Sequence, residues 1–177
     1  DDRALFLQRW WSLLQATAEG RKAGTATAQL AAAAQRWQGR ASADSVSYRI
    51  VRGWRLALHA RIAAGLTAPA RQALGEEFVM PRLLQLEAVA WPLLQQRPAH
   101  LLPPDYPNWD ALLEGAAQEV LDELAKEGPL AQRTWGEHNT ADICHPLARA
   151  LPAILRGRLC MPAQPLGWYK NEITDAA

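Results

Sequence analysis

Apolar residues recur at every third or fourth position through most of this chain, and no long stretch alternates apolar with polar residues. Such spacing gives a helix an apolar stripe, whereas a half-buried strand needs a period of two. The expected fold is therefore all-α or mostly α, an irregular helical bundle. Leu7, Trp10, Trp11 and Leu14 mark the first helix, with Asp2 placed to cap it and Gly20 to stop it. An Ala-rich stretch predicts a second helix from about Thr25 to Trp37, with Leu30, Ala34 and Trp37 on its apolar side. Asp44 or Ser45 opens a long helix whose stripe is Val46, Ile50, Trp54, Leu58 and Ile62. His59 borders that stripe, and Gly53 within it marks close helix packing. Pro69 suits the first turn of a further helix, and Pro81 starts another turn. The run PRLLQLEAVAWPLLQQ is apolar nearly all round, which predicts central burial. In the proline-rich linker that follows, Leu101, Leu102, Tyr106 and Trp109 are too apolar for a free tether. Asn108 caps a helix from Trp109 to about Glu127 that ends at Gly128-Pro129. Asp110 and Lys126 suit its dipole, and Asp122 with Lys126 forms an i,i+4 pair.

Composition narrows the classes further. A length of 177 residues supports one hydrophobic core, or two small ones, and 49% hydrophobic content disfavours disorder. A net charge of +1 provides no basic field for nucleic acid, and no apolar run reaches membrane-spanning length. Eight tryptophans favour buried or interfacial positions. Sixteen of the nineteen basic residues are Arg, which fits multi-donor interface networks or, equally, a GC-rich coding sequence. The row Arg49, Arg52 and Arg55 could bind an anion, but a solvated face with salt bridges is the expected arrangement. Cys144 and Cys160 permit one disulfide without requiring it. The start at Asp1-Asp2, without Met or a signal peptide, reads as a processed product or an excised part.

Candidate chemistry concentrates in TWGEHNTADICHPLARALP, residues 134–152. His138, Asp142, Cys144 and His145 supply metal-ligating atoms, with Glu137, Asn139 and Thr140 among them. The spacing matches no regular zinc pattern, and Cys144 has no base and orienting group in a recognisable motif. The preferred reading is an ordered, hydrogen-bonded connector around an anchored Trp135, with His145-Pro146 opening a helix. Glu76-Glu77 and Glu119-Asp122-Glu123 could pair carboxylates for acid–base work, but read better as helix-surface charge. No nucleophile elbow, phosphate loop or dinucleotide fingerprint occurs.

Several ordered blocks carry a family resemblance: DDRALFLQRW, WQGRASADSVSYRIVRGWR, RPAHLLPPDYPNWDALL, TWGEHNTADICHPLARALP and MPAQPLG at 161–167. Together they resemble the penicillin acylase (penicillin amidase) family of N-terminal nucleophile hydrolases. The likeness is to a helical part of the large β chain, in the subgroup with penicillin amidase-like and acyl-homoserine-lactone-acylase-like members. It implies that residues 1–167 are a helical piece of a larger αββα hydrolase, followed by a divergent tail at 168–177. It also implies a parent that hydrolyses a linear amide through an N-terminal Ser whose own amine is the base. An Asn holds the oxyanion and an Arg positions the terminal amine and that Asn. None of this machinery maps onto the chain: Asp1 is not a nucleophile, and Asn108, Asn139 and Asn171 do not stand in the matching block. The expectation is accordingly no catalytic, cofactor-binding or metal residue here, no cofactor, and an inactive chain. The implied partners are the remainder of an α/β heterodimer and a small-molecule amide, in the periplasm or secreted. The alternative is a non-catalytic helical interaction or ligand-binding protein derived from that family. An interaction protein would expose Trp10, Trp37 or Trp135, and a binding protein would keep a concavity with a few inward polar groups.

Overall fold

The computed structural model describes residues 4–141, 143–150, 152, 155 and 157–167. Helix α1 (Leu5–Ala18) buries Leu7, Trp10 and Leu14, as its stripe predicts. Asp2, the expected cap, lies outside the described residues. Helix α2 is shorter than expected, Ala26–Ala33. The chain turns after it, the Trp11 indole donates to the Ala34 carbonyl at 3.0 Å, and Trp37 stacks on Trp11 from the following loop. The α2 N-terminus is held from a distance: Glu114 accepts from the Ala26 N–H at 2.5 Å and from the Thr27 hydroxyl at 2.6 Å. A carboxylate there satisfies donors that a helix start leaves open.

Helix α3 (Val46–Leu74) is the central element. Ser45 caps it, its Oγ accepting from the Tyr48 N–H at 3.2 Å. Ile50, Trp54, Leu58 and Ile62 are fully or nearly fully buried. Pro69 does not begin a new helix; it lies inside α3. The inner turns are already fixed by packing, so α3 continues through the lost N–H bond onto its exposed outer end. Central burial of residues 81–96 is also overturned. Helix α4 (Leu86–Gln96) lies against one side of α3 and buries only Ala90, Leu93 and Leu94, while Leu84 before it is 73% exposed. Pro81 lies in irregular chain between Phe78 and Leu83, where no helical turn starts.

The linker is ordered. The Trp109 indole donates to the Pro98 carbonyl at 3.2 Å, and Pro103 packs on Gly65. Helix α5 (Trp109–Lys126) is capped by Asn108, whose Oδ1 accepts from the Ala111 N–H at 2.8 Å. Lys126 pairs with Glu123 at 2.5 Å, while Asp122 accepts from Gln118. The i,i+3 neighbour thus takes the place of the expected i,i+4 partner. Leu112, Leu113, Ala116 and Ala117 complete a core shared by α1, α2, α3 and α5.

Helix α6 (Trp135–His138) leads into β1 (Thr140–Ala141), which pairs antiparallel with β2 (Gln164–Pro165). The helix expected after His145 is a 3-10 turn over Pro146–Ala150, and part of its expected span lies outside the described residues. The mostly α expectation holds, with an irregular arrangement. Among the described residues the strands are these two short ones, so the αββα layers implied by the resemblance are not seen in them. No described helix is long and apolar enough to cross a membrane. The tail at 168–177, with Asn171, lies outside the described residues.

Candidate functional site

Several polar groups among the described residues of the 134–152 stretch hold the backbone. The Trp135 N–H donates to the Ser45 carbonyl at 2.9 Å, and the Gly136 N–H to the Ala43 carbonyl at 2.7 Å. These bonds fasten the stretch to the entry of α3. The Trp135 indole is buried, edge-on to Tyr48 at 4.9 Å between ring centres. Burial pushes the Tyr48 phenol up to about 12, against the opposing charges of Arg52 and Arg55. Thr134 caps α6, and Thr140 Oγ1 donates to the Gly136 carbonyl at 2.7 Å. The Asn139 amide donates to the carbonyls of Leu166 and Gly167 at 3.0 and 2.6 Å. His145 Nδ1 accepts from the Leu147 N–H at 3.2 Å.

Cys144 is bonded to Cys160, which faces it across an isolated antiparallel bridge, so its sulfur is no thiolate nucleophile. Asp142 lies outside the described residues. No group of three or more His, Cys, Asp or Glu among the described residues is arranged to hold a metal ion. The connector reading fits this geometry, anchored indole included.

The carboxylate candidates are also dispersed. Glu76 and Glu77 sit on an exposed 3-10 turn, and Glu119 pairs with Arg61 at 2.5 Å. The arginine row divides three ways. Arg49 is only 8% exposed and bridges Glu127 at 2.6 Å and Glu137 at 2.5 Å. It is therefore a buried tie between α3, the end of α5 and α6, which corrects the solvated-face expectation. The Arg49 hydrogen bond holds the Glu127 carboxyl below its usual range, with its charge and that of Arg133 adding to the effect. Arg55 turns the other way, toward Glu87 at 2.9 Å. Arg52 lies over the Trp135 ring, 5.1 Å from its centre.

Two features escaped the linear pattern. One is Glu87, on which Arg9, Arg55, His59 and the Trp10 indole converge. Burial and the Arg55 charge lower the His59 pKa, outweighing the attraction of Glu87. The other is a groove of about 460 Å³ along the α3–α5 seam. Arg52, Gly53, Leu56 and Ala60 form one side, Val120 lies opposite, and Trp135 and His138 line it as well. Gly53 was the signal in the sequence for its close α3–α5 approach: a Cβ there would stand 3.4 Å from Val120 Cγ1. Partial burial, then the Arg49 and Arg52 guanidinia, hold the His138 imidazole below the usual histidine range.

Comparison with known sequences agrees with the ordered blocks rather than with any one residue. The sequence model of the penicillin amidase family matches residues 1–169. No curated protein matches the chain. With the match running across almost the whole chain, the protein belongs to the penicillin amidase family.

Proposed function

We propose that this chain is a helical part of the β chain of an N-terminal nucleophile amidohydrolase, and that it braces the catalytic core without performing the reaction. The parent hydrolyses a linear amide, in a β-lactam antibiotic or an N-acyl-homoserine lactone. In that reaction a terminal Ser Oγ attacks the carbonyl while its own amine takes the proton. The amine product leaves with a proton, and water then frees the acid. Backbone N–H groups and an Asn amide stabilise the oxyanion. The observation that carries this reading is the family match across 1–169.

The side chains support the inactive status of the chain itself. Cys144 is in a disulfide, while Ser45 Oγ accepts from a backbone N–H and Ser47 Oγ donates to the Arg36 carbonyl. Asn108 and Asn139 are spent on a cap and on the 166–167 backbone. Trp10 and Trp135 are buried, which speaks against an interaction protein that displays them. Large exposed apolar residues gather instead between Leu66 and Val89, including Leu74, Val79, Met80 and Leu84. Such a stretch suits coverage by the remainder of the α/β heterodimer. The Cys144–Cys160 disulfide suits an oxidising compartment, in keeping with a periplasmic or secreted parent.

The test is an amidase assay on an acyl-nitroanilide. The chain alone should release no nitroaniline. Replacing the corresponding segment of an active family member with residues 1–167 should preserve processing and turnover. Turnover by the isolated chain would overturn the proposal.

A further inference from the structure

We propose that the groove between α3 and α5 is a binding site for small carboxylic acids with an apolar tail, held at one end by Arg52. This site is independent of the amidase reading. A groove of about 460 Å³ is of small-molecule size. Its apolar part is made by Gly53, Leu56, Ala57 and Ala60 of α3 and by Val120 and Leu124 of α5. The missing side chain at Gly53 keeps the floor open beside Val120.

The charges around the groove are matched except one. Glu127 is paired with Arg49, Glu119 with Arg61, and Glu123 with Lys126. Each lining carboxylate therefore has its own cation. Arg52 has no ion pair among the described residues and faces the Trp135 ring. A ring attracts a guanidinium but leaves its hydrogen-bond donors unused. The forked N–H groups fit a carboxylate, and the adjoining indole shields one face of that contact from water.

The groove selects against other ligands. An inorganic anion would gain nothing from its apolar walls, and an uncharged hydrocarbon would leave Arg52 unsatisfied. From Arg52 to Ala60 the helical rise is ~12 Å, enough for an extended aliphatic tail beside the head group. His138 stands at the Arg52 end, where its mainly neutral imidazole adds no competing positive charge to Arg52.

Octanoate is the probe, titrated into the full 177-residue chain by calorimetry, with the Trp135 indole N–H followed by NMR. Saturable one-to-one binding that shifts the Trp135 resonance is expected. Arg52→Gln should weaken octanoate about tenfold or more, because a charge-assisted hydrogen bond is lost. It should leave the weaker binding of 1-octanol unchanged. Ala60 is exposed, so Ala60→Phe should fold normally while filling the tail end and weakening octanoate. Acetate and inorganic phosphate should not saturate the site. The proposal is overturned if octanoate does not saturate, if octanol binds as tightly, or if neither variant alters octanoate affinity.

Discussion

Replacing Glu87 tests whether the bundle depends on a buried charge rather than on its apolar stripe alone. Glu87 is 18% exposed and sits where α4 meets α1 and α3. One oxygen takes the Trp10 indole N–H at 2.8 Å together with Arg9, and the other takes Arg55 Nε at 2.9 Å. His59 Nε2 stands 2.9 Å away, too poorly aligned to count as a hydrogen bond. Glu87→Ala would strand the fully buried Trp10 donor and the largely buried Arg55 guanidinium. An orphaned neutral donor costs ~1–3 kcal/mol, and breaking a buried ion pair ~3–5. Arg9 is 38% exposed and recovers water, so its share is small. Arg55 keeps 21% exposure and recovers some water, which puts its term at or below the lower end. The expected loss is therefore about 3–4 kcal/mol for Glu87→Ala, and about 1–2 for Glu87→Gln, whose amide oxygen still serves Trp10. Burial alone would raise the Glu87 pKa, but the Trp10 and Arg55 contacts overcome it and lower the pKa. Its contribution is present above the ordinary value of 4.5 and lost as pH falls through the lower folded value. His59 also has a lowered pKa, so below 6.5 the unfolded chain takes up a proton that the folded one resists. Stability should thus fall on acidification first through His59, then through Glu87. Urea unfolding followed by circular dichroism from pH 7 down to about pH 3 measures both steps. Equal stability of wild type and Glu87→Ala at pH 7 would refute the reasoning, as would an unchanged acid slope in Glu87→Gln.

Three further outcomes follow from other contacts. Arg49→Ala should cost about 1–2 kcal/mol in the same denaturation assay: it removes the nearer buried cation from Glu127 and Glu137, but Arg133 stays beside both and the two carboxylates are partly exposed. Gly136→Ala would put a methyl 2.8 Å from the Ala43 carbonyl oxygen and 2.9 Å from Pro165 Cβ, costing about 1–3 kcal/mol. Hydrogen exchange should then quicken at the Gly136, Asn139 and Leu166 amides before it quickens in α3. Reducing Cys144–Cys160, which lie 16 residues apart, should lower stability by at most about 3 kcal/mol in a comparison of thermal midpoints with and without dithiothreitol.

Features that depend on neighbours in the chain were legible. The Ser45 and Asn108 caps, the α3 stripe and the limits of α5 rest on residues within one or two turns. Pro69 misled because local propensity ignores a helix already fixed at its inner end. The residues around α4 misled because apolarity on all sides does not say which side is covered. Glu87 and the partners of Arg49 were missed for a different reason: Arg9 lies 78 positions from Glu87, and Arg49 lies 88 from Glu137. Only the register of packed helices brings such charges together. The α3–α5 groove has the same origin, and Gly53 hinted at contact without revealing Arg52 over an indole.

The neck around Asn139 changes what a protease could accomplish here. Asn139 bonds to both 166 and 167, β1 pairs with β2, and Cys144 is joined to Cys160. A backbone cut between Pro146 and Leu159 would split the polypeptide without separating its pieces. The downstream piece would stay attached by a covalent bond and by a ladder that does not need the severed loop. Migration on a non-reducing gel would stay at full length, and two bands would appear only after reduction. The ends of that span would thus remain in register after a nick, held by bonds that lie outside it.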